Sequence, residues 1–215
     1  MTDSAHSTRS SNRSAPQTLR VSAEFANTAG LVLCGGAASR LGGVDKGLLS
    51  FHGKALVDIA LEAIAPHCSE RMISANRNVQ QYADRHLRVI PDLQFSLESA
   101  HEGPLAGIQA GLTASKMPWL LVVPCDCPRV SQASLLRLGQ TAKEQSRPCY
   151  LLGQPTFTLL PVDCLASLNH FLGHGRRRLG DWLTELHAVG VEPAAMDELH
   201  SLNTPDDLRY LAPGL

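Results

Sequence analysis

The sequence predicts a single α/β domain, a mainly parallel twisted sheet with helices on both faces. Two observations carry that expectation. Short apolar runs of strand length alternate with segments whose apolar residues recur at helical spacing, and strands joined through helices run parallel. The first such run, residues 30–33, empties directly into a glycine-rich loop, and sheets of this kind hold ligands beyond the carboxyl ends of their strands. A chain of 215 residues, 44% hydrophobic and 18% charged, has length and apolar content for one sizeable core.

Residues 1–28 differ from the rest of the chain. The first sixteen are rich in Ser, Arg, Asn and Thr, with Asp3 as the only acid and no apolar periodicity. A Ser- and Arg-rich, acid-poor start also fits an organelle transit peptide, but it has no apolar stretch of the secretory kind. The expectation is a disordered N-terminal extension over residues 1–28 and a folded domain over residues 29–215.

Each element of the domain has its own local signal. Residues 30–33 form a buried strand, residues 48–51 a short strand-like piece, and residues 52–54 a turn. Leu56, Ile59, Ala60, Ala63 and Ile64 then mark one face of a helix that Pro66 ends. Residues 71–75 and 87–90 read as strands, with a short helix over 79–85 between them. Pro104 opens another helix at a position where its missing N–H costs little. Residues 119–123 are a buried strand ending in Pro124-Cys-Asp-Cys-Pro128, and Ser131 caps a helix through about residue 141. Beyond it, residues 149–152 and 157–160 are strands around a turn at 153–156, and residues 162–171 and 179–189 are helices. Thr204 and Pro205 start a last helix, with Asp206 and Asp207 facing its positive end.

The candidate chemistry gathers at the strand ends. Gly35, Gly36, Gly42 and Gly43 directly after a strand, with Arg40 and Lys46 as cations, suit the cradling of a polyphosphate by backbone N–H groups. Lys46 supplies a point charge and Arg40 a fork of donors. The loop lacks the Gly-Lys-Ser/Thr ending of a P-loop and the Gly-x-Gly-x-x-Gly of a dinucleotide site; an exposed turn lysine is the plain alternative for Lys46. Asp126, at the end of a buried strand, is placed to hold Mg²⁺, which one or two carboxylates commonly share with substrate phosphates; a helix-capping or turn aspartate is the plain alternative. Asp92 is the candidate companion carboxylate or a strand-ending turn acid, and Ser74 and Asn76 follow another strand end, within reach of a base or ribose or simply as polar strand-end residues. Arg176, Arg177 and Arg178 suit a phosphate-bearing acceptor or form a solvated basic turn. Cys125 and Cys127 form a Cys-x-Cys without the second pair that a structural zinc site requires. A net charge of −1 gives no basic surplus for nucleic acid, and no apolar run reaches membrane-spanning length. Six cysteines without a secretory signal read as reduced thiols in the cytoplasm.

The run Leu33-Cys-Gly-Gly-Ala-Ala-Ser-Arg-Leu-Gly-Gly-Val-Asp-Lys46 resembles the signature loop of sugar-nucleotide and cofactor nucleotidyltransferases, and Gly42-Gly-Val-Asp-Lys-Gly47 is similar to that of the molybdenum cofactor guanylyltransferases within them. Pro124-Cys-Asp126, Ile90-Pro-Asp92 and Gly103-Pro-Leu-Ala-Gly107 extend the resemblance, and weaker matches at Gln154-Pro-Thr156, residues 175–178 and Leu202-Asn-Thr-Pro205 carry it to about residue 210. The resemblance implies a Rossmann-like nucleotidyltransferase fold and a nucleotide-binding role for Leu33, Cys34, Gly35, Lys46, Asp92 and Asp126. Gly36 belongs to the same loop. Cys34 stands where the family often has Ala, Ser74 where it often has a nucleotide-contacting Asn, and Ser201 where Asn often precedes Asn203.

The implied reaction is transfer of GMP from GTP to the terminal phosphate of molybdopterin, with release of pyrophosphate. Lys46 and Arg40 would stabilise phosphate charge and Asp126 would hold Mg²⁺, so these three are the catalytic candidates. Molybdoenzymes or their chaperones are the implied recipients of the product. Two alternatives stay open: a CTP-using or sugar-phosphate nucleotidyltransferase on the same loop, and a non-catalytic nucleotide- or cofactor-binding chaperone of molybdoenzymes.

Overall fold

A computed structural model describes residues 25, 27–34, 45–92, 103–204 and 206–207. Its centre is a seven-stranded sheet of order β5-β4-β1-β6-β8-β7-β9, in which β1 is Thr28–Leu33, β4 Glu70–Ser74, β5 Arg88–Ile90, β6 Trp119–Pro124, β7 Cys149–Leu151, β8 Gln154–Pro161 and β9 Val189–Val191. β1 pairs in parallel with β4 and β6, β4 with β5, and β7 with β9; β8 alone runs against its neighbours. A separate two-stranded hairpin joins β2 (Ser50–Phe51) to β3 (Lys54–Ala55).

The alternation of side chains along the strands builds two cores. Val32, Ile73, Leu121 and Val123 point to the face covered by α1 (Leu56–Ile64), α2 (Val79–Ala83) and α4 (Gln132–Gln145). Leu31, Met72, Leu120 and Val122 point to the face covered by α3 (Pro104–Ala114), α5 (Cys164–Gly173) and α6 (Leu179–Glu185). Period-2 alternation in strands that are apolar on both sides is what a sheet sandwiched between helix layers needs. The predicted α/β class, the mainly parallel sheet and the helices on both faces are all present.

Several boundaries move, each for a local reason. Thr28 belongs to β1, opposite Trp119, and Phe25 is fully buried, so the extension assigned to residues 1–28 does not reach this far. The Phe25 ring lies 4.6 Å from that of His67, and a Cβ on Gly139 of α4 would stand 2.6 Å from it, so the bare helix backbone makes its seat. The piece predicted as a strand over 48–51 divides into a 3₁₀ turn, Lys46–Leu48, and the two-residue strand β2. The turn predicted at 153–156 is shorter: Gly153 takes φ +88°, a conformation that favours glycine, and β8 starts at Gln154. The helix predicted to 189 stops at Glu185. His187 is left-handed (φ 51°), and Val189 and Val191 continue as β9, with Gly190 between them leaving room for Leu152.

Candidate active site

The strand ends of β1, β4, β5 and β6 meet at one edge, where the ladders continue past the strands. The Cys34 N–H donates to the Ser74 carbonyl (2.9 Å), the Cys125 N–H to that of Leu33 (3.2 Å) and the Ala75 N–H to that of Ile90 (3.1 Å). Because β8 is antiparallel, its first residues arrive at this same edge. A cleft of about 330 Å³ opens there, lined by Leu33, Cys34, Lys46, Ser74, Asp92, Gly103, Pro104, Gly107, Pro124, Cys125, Asp126, Gln154 and Thr156. It lies where the chain, having built β4 and β5 on one side of β1, adds β6 on the other, a place where open α/β sheets hold ligands.

Lys46 and Asp126, eighty residues apart in sequence, meet with Nζ 2.8 Å from Oδ2; Nζ also donates to Asn203 Oδ1 at 2.7 Å. The pair is about one-fifth exposed on each side, enough for a ligand to reach it. The Leu202 N–H donates to the Asp126 carbonyl (2.8 Å), which fastens the segment carrying Asn203 to the end of β6. Farther on, Asp207 accepts from His200 and from the N–H groups of Asn203 and Thr204. The His200 hydrogen bond, then that of the Asn203 N–H, hold its carboxyl down at about 2.

The second cluster surrounds Asp92. Ser74 Oγ donates to Asp92 Oδ1 (2.5 Å) and the Asn76 amide to Oδ2 (2.8 Å), while the Asp92 N–H returns a bond to Asn76 Oδ1 (2.8 Å). Gly107 of α3 packs so closely that a Cβ there would stand 2.8 Å from both Leu33 and Ser74 Oγ. Beside Asp126 the Cys125 and Cys127 thiols stay protonated. A Cys34 hydrogen bond and then burial push Cys125 well up, while burial followed by the Asp126 charge pushes Cys127 up to about 12. Cys127 instead contacts Ser201 Oγ (3.3 Å), to which Gln154 also donates (2.8 Å).

Of the residues singled out in the sequence, Leu33, Cys34, Lys46, Ser74, Asp92 and Asp126 line one cleft, with Asn76 bonded to Asp92 behind it. Gly35, Gly36 and Arg40 lie outside the described residues. The basic turn divides. Arg176 pairs with Glu185 and sits 4.0 Å above the Phe171 ring, Arg177 donates to the Leu172 carbonyl, and Arg178 is exposed at the start of α6. Asp45, Asn78 and Tyr82, none of them singled out in the sequence, bind one another behind Lys46. Gln154 and Thr156, expected in a turn, stand on β8 and line the cleft, and the Gln154-Pro-Thr156 match is the signal that points to them.

Fold and cleft define an α/β protein with a ligand cleft at the carboxyl edge of its sheet. The chain belongs to the MobA-like NTP transferase domain family, whose model matches residues 30–189, and it is accordingly a nucleotidyltransferase. A molybdenum cofactor guanylyltransferase of Pseudomonas aeruginosa is 38% identical over 182 residues, 82% of this chain and 90% of its own length. One from Polynucleobacter asymbioticus is 34% identical over 200 residues, 88% and 98% of the two chains. Among solved structures, the molybdopterin-guanine dinucleotide biosynthesis protein A of Archaeoglobus fulgidus superposes with a TM-score of 0.67 at 22% identity, covering 85% of this chain and 95% of its own. The 2-C-methyl-D-erythritol 4-phosphate cytidylyltransferase of Thermus thermophilus reaches 0.65 at 14% identity, over 84% and 95%. At these identities the likeness is one of fold.

Proposed function

We propose that the protein transfers GMP from GTP to the terminal phosphate of molybdopterin, forming the guanine dinucleotide cofactor and releasing pyrophosphate, in the cytoplasm and for delivery to molybdoenzymes or their chaperones. The observation that carries this reading is the Lys46–Asp126 pair at the mouth of the cleft, a cation and a hard oxygen ligand 2.8 Å apart. An oxygen of the acceptor phosphate attacks the α-phosphorus, and the bond from that phosphorus to the bridging oxygen breaks as pyrophosphate leaves. The attacking oxygen is already anionic, so the protein contributes position and charge rather than a base. Lys46 stabilises the phosphates, and the Arg40 side chain and the backbone N–H groups of Gly35 and Gly36 are assigned to the same charge.

Asp126 suits Mg²⁺. Its carboxylate is a hard oxygen ligand about one-fifth exposed at the cleft, and such an ion would take its remaining oxygens from substrate and water. Bound there, Mg²⁺ neutralises charge on the triphosphate. Asp92, oriented by Ser74 and Asn76, keeps acceptor capacity for the N1–H and N2 amino donors of guanine. Leu33 and Cys34 bring backbone to the nucleotide, and the exposed turn at Arg178, whose neighbour Arg177 lies beside the cleft-lining Gly103, is the candidate to receive the acceptor phosphate.

The experiment is pyrophosphate release with molybdopterin and each of GTP, CTP, ATP and UTP. Turnover with GTP at least tenfold above the others is expected. A preference for CTP would assign the cytidylyl reaction, and nucleotide binding without pyrophosphate release would assign a chaperone.

A further inference from the structure

Asp45 immediately precedes Lys46 and is buried, and among the described residues the donors to its carboxylate are uncharged. Tyr82 Oη donates to Oδ1 at 2.5 Å, the Gly47 N–H to the same oxygen at 3.2 Å, and the Asn78 amide to Oδ2 at 2.9 Å. Tyr82 is fully buried in α2, and Asn78 sits just before that helix in a left-handed conformation (φ 50°, ψ 30°). On the other side of Lys46 the fit is equally close. A Cβ on Gly47 would stand 2.5 Å from Tyr82 Oη and 3.1 Å from Cys34 Sγ. Lys46 is therefore flanked by two backbone positions that α2 and the end of β1 hold in place.

A buried carboxylate is costly unless its lone pairs are filled, and an apolar side chain of similar size is commonly as good for stability alone. What a fully satisfied polar cluster adds is a unique geometry. A lysine is a point charge on a flexible stem, so the position of its backbone decides what it can reach. We propose that Asp45 is a positioning residue for nucleotidyl transfer: held by Tyr82 and Asn78, it fixes the backbone from which Lys46 reaches the phosphates. The inference rests on the reading of Lys46 as a phosphate ligand. Burial, and after it the Cys34 thiol and the Asp45 hydrogen bond, push the Tyr82 phenol up, so it remains a donor throughout the working pH range.

The test is a double-mutant cycle on the full-length protein, with GTP affinity by equilibrium binding, kcat for pyrophosphate release, and Tm for every variant. Tyr82→Phe keeps the buried ring and removes only the hydroxyl. It should melt within a few degrees of the parent and lose about tenfold in kcat; Asp45→Asn, which sets one amide against that of Asn78, should lose more. In a Lys46→Ala background neither change should lower kcat or GTP affinity further. Parental turnover in Tyr82→Phe, or losses that multiply with those of Lys46→Ala, would overturn the inference while leaving Lys46 in place. Full activity in Lys46→Ala itself would remove the reading on which the inference stands.

Discussion

Lys46 has one ammonium and two acceptors, Asp126 and Asn203, and both sit on segments that meet only in the folded chain. That arrangement sets the outcome of Asp126→Asn. The ammonium keeps Asn203, so Tm should stay within a few degrees of the parent. The loss of a negative oxygen ligand beside the phosphates should cost turnover about 10² or more. Near-parental pyrophosphate release by Asp126→Asn at saturating Mg²⁺ would refute the assignment of Asp126 as the metal carboxylate. The residues whose chemistry is local were legible in the sequence: Lys46 closes a glycine-rich loop, and Asp126 and Asp92 each come after an apolar strand and a proline. Their partners were not. Asp45 and Tyr82 are 37 positions apart, and Tyr82 reads as one more apolar residue of a short helix until the fold turns its hydroxyl onto a buried carboxylate.

Elements show the same division between local and distant causes. Ser131 was legible as an N-cap because capping is a matter of neighbouring residues, and its side chain does accept from the Ser134 N–H. β9 was not, because three residues with one glycine pair with β7 only once the sheet exists. The N-terminal boundary failed for the reverse reason. An aromatic residue next to a polar stretch has no periodicity to mark it, yet Phe25 fills the space that Gly139 leaves on α4. Removing residues 1–24 keeps that ring, and removing residues 1–27 takes it away. The longer deletion should be less stable by about 3 kcal/mol, the usual loss for a buried phenylalanine. In a chain of this size that corresponds to a Tm about 6–12 °C lower. Phe25→Ala should reproduce the difference, and equal melting of the two truncations would show that the ring contributes nothing.

Across the whole molecule burial governs the cysteines. Lys46, Asp92 and Asp126 collect at one edge of the sheet, where Cys34 and Cys125 line the same cleft, and these two and Cys68, Cys127, Cys149 and Cys164 are all buried as free thiols. Burial pushes Cys68, Cys127 and Cys164 up to about 12 and Cys149 up to about 11, against an ordinary value of 9.0. Proton counting sets the sign of the resulting pH dependence. Below pH 9 folded and unfolded chains both keep these protons, so the thiols give stability no slope. Between pH 9 and about 11–12 the unfolded chain releases protons that the folded chain retains, so the unfolding free energy falls as pH rises. Each thiol contributes up to about 1.4 kcal/mol per pH unit in that window. Denaturant midpoints should therefore be level from pH 7 to 8.5 and decline steeply above pH 9. Cys164→Ala, which removes one such group, should melt lower at pH 7 but show a shallower decline between pH 9 and 11. A midpoint that is flat to pH 11, or a slope the substitution leaves unchanged, would contradict the burial of these thiols as the cause.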